Sequence, residues 1–265
     1  MRTNMSDAGH GGKDSGAVGI NGVEEKDIVL EVSNLVDKYL KQQNIKNINT
    51  RTTDVFLSLN ERSNKANNSS VNSFVSIHCN DSDDPNAHGL EIFCYKFKYR
   101  KLADCILQEL KRENLYTQLR EGGVKEGNLH VVRETHMPAC LVELGFISNK
   151  KDYNLIMNNK NRFAKAIAKG ICKFNGVSWK ETSGSSSESF KNGEYDGRKA
   201  KVIANELNVR YDRWIGGVPE PKKIGKLKKG DIVDLGYCLN GWPGIHGFKG
   251  NKGFGYVNSK FLELL

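Results

Sequence analysis

Two short apolar runs constrain this chain more than any other feature. Ser73-Phe74-Val75-Ser76-Ile77-His78-Cys79-Asn80 and Ala139-Cys140-Leu141-Val142-Glu143-Leu144-Gly145-Phe146 read as strands with little polar surface to leave in water. Strands of that kind need cover on both faces, and the intervening sequence supplies it. From Lys26 to Gln42, Ile28, Val32, Leu35, Val36 and Tyr39 recur at helical spacing, with Glu24 and Glu25 at the favourable end of the helix dipole. Tyr99 to Arg112 carries Leu102, Ala103, Ile106 and Leu110 on one face, and Lys151–Met157 and Lys160–Phe174 form two more helical pieces. Ser58-Leu59-Asn60-Glu61 is a capping box that opens a helix through about Asn67. Shorter strands are expected at Asn47–Thr52, Gly89–Tyr95 and His130–Val132. Strands alternating with helices imply an α/β sheet covered on both sides.

The pattern changes near the C-terminus. Thr182 to Glu188 is rich in Ser and Gly, with almost nothing apolar to bury, and reads as a linker. Beyond it the apolar runs are short and punctuated by glycine, at Lys201–Ala204, Leu207–Arg210, Asp231–Leu235 and Gly255–Val257. That describes a small all-β barrel. The expected organisation is therefore a catalytic-sized domain over residues 1–176, a linker over 177–192, and a barrel over 193–265.

Charge is uneven between the two parts. From Lys191 onward there are 11 Lys and 3 Arg against 4 Asp and 4 Glu, which is +6 of the chain's net +9. A basic C-terminal part suits an anionic partner such as cell wall or nucleic acid, with ordinary solubility charge as the plain alternative. The charge is dispersed over glycine-rich β structure with no nucleic-acid motif, which argues against nucleic acid. The six cysteines are scattered, form no C-x-x-C pair and lie mostly in apolar runs, as reduced buried cysteines do. No apolar run reaches the roughly 18 residues of a transmembrane helix. Met1 to Asp7 lacks the apolar core of a secretory signal, so synthesis in a cytoplasm is expected, with any exit by another route.

Chemistry-bearing residues sit at the ends of these elements. His10 lies among glycines in Asp7-Ala8-Gly9-His10-Gly11-Gly12, where a first strand should end. His78 ends an apolar strand, and Asn80 leaves the same face two residues later. A lone strand-end histidine is commonly structural. Glu143 is harder to place, because a carboxylate inside an apolar strand needs a metal, a cation or a raised pKa. An ion pair with Arg62 or Arg133 is the alternative. Together, His10, Glu25 and His78 make a three-ligand zinc set that leaves a position for water. Glu143 is then the carboxylate left to move protons. Cys79 adjoins His78, so the two point to opposite strand faces and form no nucleophile–base pair.

At this point the sequence resembles the zinc-dependent N-acetylmuramoyl-L-alanine amidases of cell-wall lysis. The resemblance is carried, in order, by Asp7–Gly12, Glu25-Lys26-Asp27, Thr50-Arg51-Thr52-Thr53-Asp54, Leu59-Asn60-Glu61-Arg62, Ser76–Asn80 and Met137–Asn149. It implies a mixed, mostly parallel six-stranded sheet flanked by helices. It places one zinc ion on His10, Glu25 and His78 and the catalytic glutamate at Glu143. Glu24 adjoins Glu25 and leaves a one-residue ambiguity, which the following Lys-Asp resolves toward Glu25. Asn80 becomes a candidate for orienting a ligand, against a plain strand-end cap. His88, His130, His136 and His246 are read as surface or structural residues. The first strand, Arg2-Thr3-Asn4-Met5-Ser6, is more polar than the family's, which marks it as the irregular edge of the sheet.

The C-terminal part resembles a bacterial SH3 domain through Leu207–Arg210, Leu227–Asp231, Asn240-Gly241-Trp242 and Gly255–Ser259. The resemblance implies wall binding, with Trp214, Trp242 and Tyr256 as candidate contacts. The expected protein is a peptidoglycan hydrolase cutting the amide between N-acetylmuramic acid and the L-alanine of the stem peptide. The signal-free N-terminus favours a phage endolysin. The alternatives are a host autolysin or sporulation amidase, or a cell-wall endopeptidase.

Overall fold

A computed structural model describes residues 2–116, 119–181, 190–214 and 220–265. The chain divides into two compact units, 1–181 and 182–265. The centre of the linker, Thr182–Glu188, lies outside the described residues.

The first unit is a six-stranded sheet. In chain order its strands are β1 (Thr3–Ala8), β2 (Lys46–Asn49), β3 (Ser73–Asn80), β4 (Glu91–Cys94), β5 (Val124–Glu126) and β6 (Ala139–Phe146). Across the sheet they run β2-β1-β3-β6-β4-β5, and every pair is parallel except β4 against β6. The helices are α1 (Glu25–Gln42), α2 (Leu59–Asn67), α3 (Lys101–Arg112), α4 (His130–Arg133) and α5 (Lys150–Phe174). One core joins Val75, Ile77, Cys79, Val142 and Leu144 to α1, α3 and α5. A second, smaller core joins Met5, Phe74 and Leu141 to Ala66 of α2 and Val131 and Val132 of α4. Alternation along β3 and β6 therefore sends His78 and Glu143 to the α2/α4 side.

Several expectations need correction. The polar first strand is neither an edge nor irregular, because β1 lies between β2 and β3 in continuous parallel register. Its polar side chains satisfy one another inside the sheet. Asn4 Nδ2 donates to Asn47 Oδ1 (2.8 Å) and Ser6 Oγ (3.1 Å), and Ser73 Oγ donates to Asn4 Oδ1 (2.7 Å). Buried polar groups that pair in this way escape most of the desolvation cost. His130–Val132, expected as a strand, is the helix α4, whose two adjacent valines are both buried. The capping box at Ser58 is present, with Glu61 N–H donating to Ser58 Oγ and Glu61 Oε2 accepting from Ser58 N–H. The two C-terminal helical pieces form one element broken at Asn159, whose φ of −129° is not helical. Val177 and Trp179 pack on the main core of this unit, and Lys180 N–H donates to Gln43 Oε1.

The second unit is an antiparallel seven-stranded sheet of β7 (Lys199–Val202), β8 (Glu206–Arg210), β9 (Lys223–Lys228), β10 (Ile232–Leu239), β11 (Trp242–Ile245), β12 (Gly255–Tyr256) and β13 (Leu262–Leu264). Strands β9, β11 and β13 lie outside the runs that the sequence marks as strands. Lysines dominate β9, and Pro243 and Gly244 interrupt the pattern of β11. Among the described residues, no helix is long and apolar enough to cross a membrane.

Candidate metal centre and catalytic cleft

His10 ends the loop after β1 with φ +56°, a left-handed conformation that a non-glycine residue adopts only when its surroundings hold it there. Those surroundings come from distant segments. Arg51 donates from Nε to the Ala8 carbonyl (3.0 Å) and from Nη2 to the Gly9 carbonyl (2.7 Å). Arg62 donates from Nη1 to Asp7 Oδ1 (2.8 Å) and the Ala8 carbonyl (2.6 Å), and from Nη2 to the His10 carbonyl (2.6 Å). Asp54 Oδ1 accepts from Gly12 N–H at 2.7 Å. The segments around Arg51, Asp54 and Arg62 thus hold the loop that carries His10. The pair between Asp7 and Arg62 is buried on both sides. Burial would raise the Asp7 carboxyl, but Arg62 and the hydroxyls of Thr50 and Ser76 hold it below the usual carboxylate range.

Glu25, at the first turn of α1, is 3% exposed. Its Oε1 lies 2.9 Å from His78 Nδ1 and its Oε2 lies 3.1 Å from His10 Nε2. Oε1 also accepts from Cys79 N–H (2.9 Å) and Oε2 from Ala17 N–H (3.0 Å). Burial pushes the Glu25 carboxyl up, yet the two imidazoles pull it well below its ordinary range. Burial likewise works against protonation of His10 and His78, and the hydrogen bonds to Glu25 reverse it, leaving both raised. The two imidazole rings meet edge to face at 4.9 Å. One donor atom from each of His10, Glu25 and His78 lies within 4.8 Å of the others. His10 Nδ1 is held by Asp14 Oδ2 at 2.9 Å, which fixes the ring and leaves Nε2 facing Glu25.

Two glycines keep this space open. A Cβ at Gly9 would lie 2.2 Å from His78 Cε1, and one at Gly16 would lie 2.6 Å from both Glu25 Oε2 and His10 Cδ2. Neither neighbour could yield without moving a donor atom.

Glu143 is the register partner of His78 in the β3–β6 pair. Its Oε2 is buried and has no hydrogen-bond partner. Burial, opposed by His78 and reinforced by Glu25 and Glu91, pushes its carboxyl up to about 7. Neither Arg62 nor Arg133 pairs with it, since Arg62 serves Asp7 and Arg133 serves Glu134. His78 and Glu143 line one cleft of about 710 Å³ with His10 and Asp14, walled by Phe56, Leu59 and Leu129. His130 also lines it, with Nε2 3.2 Å from Ser63 Oγ, so it is not a bystander of the fold.

Asn80 lies two residues beyond His78 at the end of β3. Its Oδ1 accepts from Asp81 N–H at 3.0 Å, which is the strand-end cap. In the second unit Trp214 is 44% exposed and Trp242 is partly buried. Tyr256 is 1% exposed, with Arg213 stacked 4.4 Å over its ring and its hydroxyl donating to the Asn251 carbonyl. A ring so enclosed offers no surface to an outside polymer, so Tyr256 belongs to the interior of the second unit and is not a wall contact. Sequence reasoning missed Asp14, which stands four residues after His10, and Glu91, which stands across from Glu143.

The sequence pattern of the N-acetylmuramoyl-L-alanine amidase family matches residues 5–173, the span that holds every residue of the cleft. The chain belongs to this amidase family. Among its relatives, the protein YqiI of Bacillus subtilis is 41% identical over 177 residues, covering 64% of this chain and 83% of that one. The endolysin of Bacillus phage SPP1 is 34% identical over 208 residues, covering 76% and 75% respectively. The solved catalytic domain of CwlV, an N-acetylmuramoyl-L-alanine amidase of Bacillus (Paenibacillus) polymyxa, is 36% identical with a TM-score of 0.63. It matches 67% of this chain and all of its own length. The family pattern falls within the first unit, whose mixed six-stranded sheet is the one expected.

Proposed function

We propose that this amidase is a zinc-dependent, two-part peptidoglycan hydrolase of the endolysin type. It would cut the amide between the lactyl carbonyl of N-acetylmuramic acid and the amine of L-alanine. The observation that carries the reading is the convergence of His10, Glu25 and His78 beside a carboxylate with a buried, unpartnered oxygen. Two imidazoles and one carboxylate suit zinc, and the space kept by Gly9 and Gly16 fits an ion held among them. When bound there, zinc supplies Lewis-acid chemistry, making water more acidic and polarising the scissile carbonyl.

The chain's own residues do the rest. His10, Glu25 and His78 would hold the ion, and Asp14 keeps the His10 ring turned toward it. Glu143 Oε2 takes a proton from the attacking water and delivers it to the alanine nitrogen as the C–N bond breaks. A carboxyl raised to about 7 is suited to both halves of that transfer. Phe56, Leu59 and Leu129 give the cleft an apolar, partly exposed wall for the substrate.

For the second unit we propose an SH3-like wall-binding role that keeps the enzyme on its insoluble substrate. The +6 charge and the exposed Trp214 support it, and Trp242 adds a second, partly open indole. The endolysin relative matches across 76% of this chain, which favours that type over a host autolysin.

Mass spectrometry of products released from purified peptidoglycan tests the reading. New L-alanine amino termini without new reducing sugars are expected, and chelation should stop their release. New termini within the stem peptide or cross-link would instead establish an endopeptidase.

A further inference from the structure

Away from the cleft, Tyr95-Lys96-Phe97-Lys98-Tyr99-Arg100-Lys101 interleaves three aromatic rings with four cations between β4 and α3. Phe97 is 46% and Tyr99 49% exposed. Each ring carries a cation, with Lys96 5.4 Å from the Tyr95 centroid, Lys98 4.9 Å from Tyr99 and Arg100 5.1 Å from Phe97. The strip borders a cavity of about 560 Å³ that Arg133 and His136 close from the far side, over a floor of Val132, Pro138 and Phe174.

Not all of this charge is spent within the fold. Lys96 pairs with Glu126, Arg100 with Asp104 and Arg133 with Glu134. Among the described residues Lys98 and Lys101 have no carboxylate partner, and both line the cavity. The cavity lies at the start of β6, at Ala139, whereas Glu143 lies four residues further on, roughly 13 Å along the strand. It is therefore separate from the catalytic cleft.

We propose that this cavity is a binding site for a phosphodiester-linked anionic polymer of polyol or sugar units. Lys98 and Lys101 would face the phosphates, and the Tyr99 ring and apolar floor would pack against the carbon chain between them. An anionic bilayer fits less well. The exposed rings alternate with cations along the strip and form no continuous apolar face to insert. The site does not depend on the hydrolytic chemistry and would add a wall contact on the catalytic unit itself.

Titration calorimetry of the full chain with a deacylated glycerol-phosphate oligomer, at about 0.1 M salt, tests this. Lys98→Glu with Lys101→Glu should weaken binding at least tenfold while leaving thermal unfolding and cleavage of a soluble muropeptide unchanged. Because the basic second unit also attracts polyanions, Lys228→Glu with Lys229→Glu serves as a background, in which the same tenfold step should persist. Equal oligomer affinity for the wild type and the Lys98/Lys101 variant would overturn the proposal. So would loss of binding to phosphatidylglycerol vesicles in that variant with oligomer affinity unchanged, which would identify a bilayer site.

Discussion

Glu143 and Glu91 stand directly opposite each other across the antiparallel pair β4–β6. Only one of them is neutralised, because Arg120 Nε lies 2.6 Å and Lys125 Nζ 3.2 Å from Glu91 Oε1. Their neighbourhood therefore leaves Glu143 as the carboxylate that holds a proton near neutral pH. With His78 on its other side, Glu143 completes a row of three titratable side chains on one face of the sheet.

Replacing Glu143 by Gln should separate chemistry from ligand binding. The amide cleavage rate should fall by about 10²–10⁴-fold, the usual contribution of a positioned acid–base group. Zinc affinity, measured by competition with a chromophoric chelator, should stay within a few-fold of wild type. A parallel loss of both would make Glu143 part of the metal site instead.

The same substitution gives a signed stability prediction for metal-free protein. Burial raises Glu143 from 4.5 to about 7, so the folded state binds the extra proton between those values. Stability from this group is present below pH 4.5 and is lost as pH rises through about 7. Glu143→Gln should therefore raise the melting temperature more at pH 8 than at pH 5, by an amount worth at most about 3 kcal/mol. Equal shifts at both pH values would contradict the burial argument.

Metal affinity should itself depend on pH through His10 and His78. Both are raised above the ordinary 6.5 by Glu25, and a ligand imidazole must be neutral. Zinc affinity should therefore weaken progressively as pH falls from 8 to 6, with proton release on binding detectable by calorimetry in buffers of different ionisation enthalpy. Buffer-independent heats at pH 6.5 would count against these ligands.

Arg62→Ala should be costly well beyond one lost contact. It leaves Asp7 as a buried charge, takes the Nη2 donor from the His10 carbonyl and leaves the Ala8 carbonyl with Arg51 alone. Breaking a buried pair on one side typically costs about 3–5 kcal/mol, to be read from urea unfolding. Arg62→Lys, where it folds, should bind zinc about 10–100-fold more weakly, because the lysine cannot span Asp7 and both carbonyls.

Local chemistry made much of this protein legible before its fold. Periodicity located α1, α3 and the strands β3 and β6, because their burial leaves a direct imprint on residue spacing. The ordered motifs singled out His10, Glu25, His78 and Glu143. What spacing could not carry was anything satisfied at long range. β1 looked like an irregular edge because Asn4 and Ser6 find their partners at Asn47 and Ser73, far along the chain. Two adjacent valines in α4 mimicked a strand because α4 is too short to show a helical period. Tyr256 looked available because sequence does not say which aromatic ring a neighbouring arginine covers.

The sequence by itself determined an α/β sheet, a β-rich C-terminal part and four candidate residues for a hydrolytic site, since each is encoded in residue type and local order. Only the tertiary structure decided that Arg51, Asp54 and Arg62 hold His10 in its left-handed turn, that Asp14 steadies its ring, and that Glu91 is neutralised beside Glu143. Those relations join groups mostly tens of residues apart, and their energies depend on burial and distance, which exist only once the chain has closed on itself.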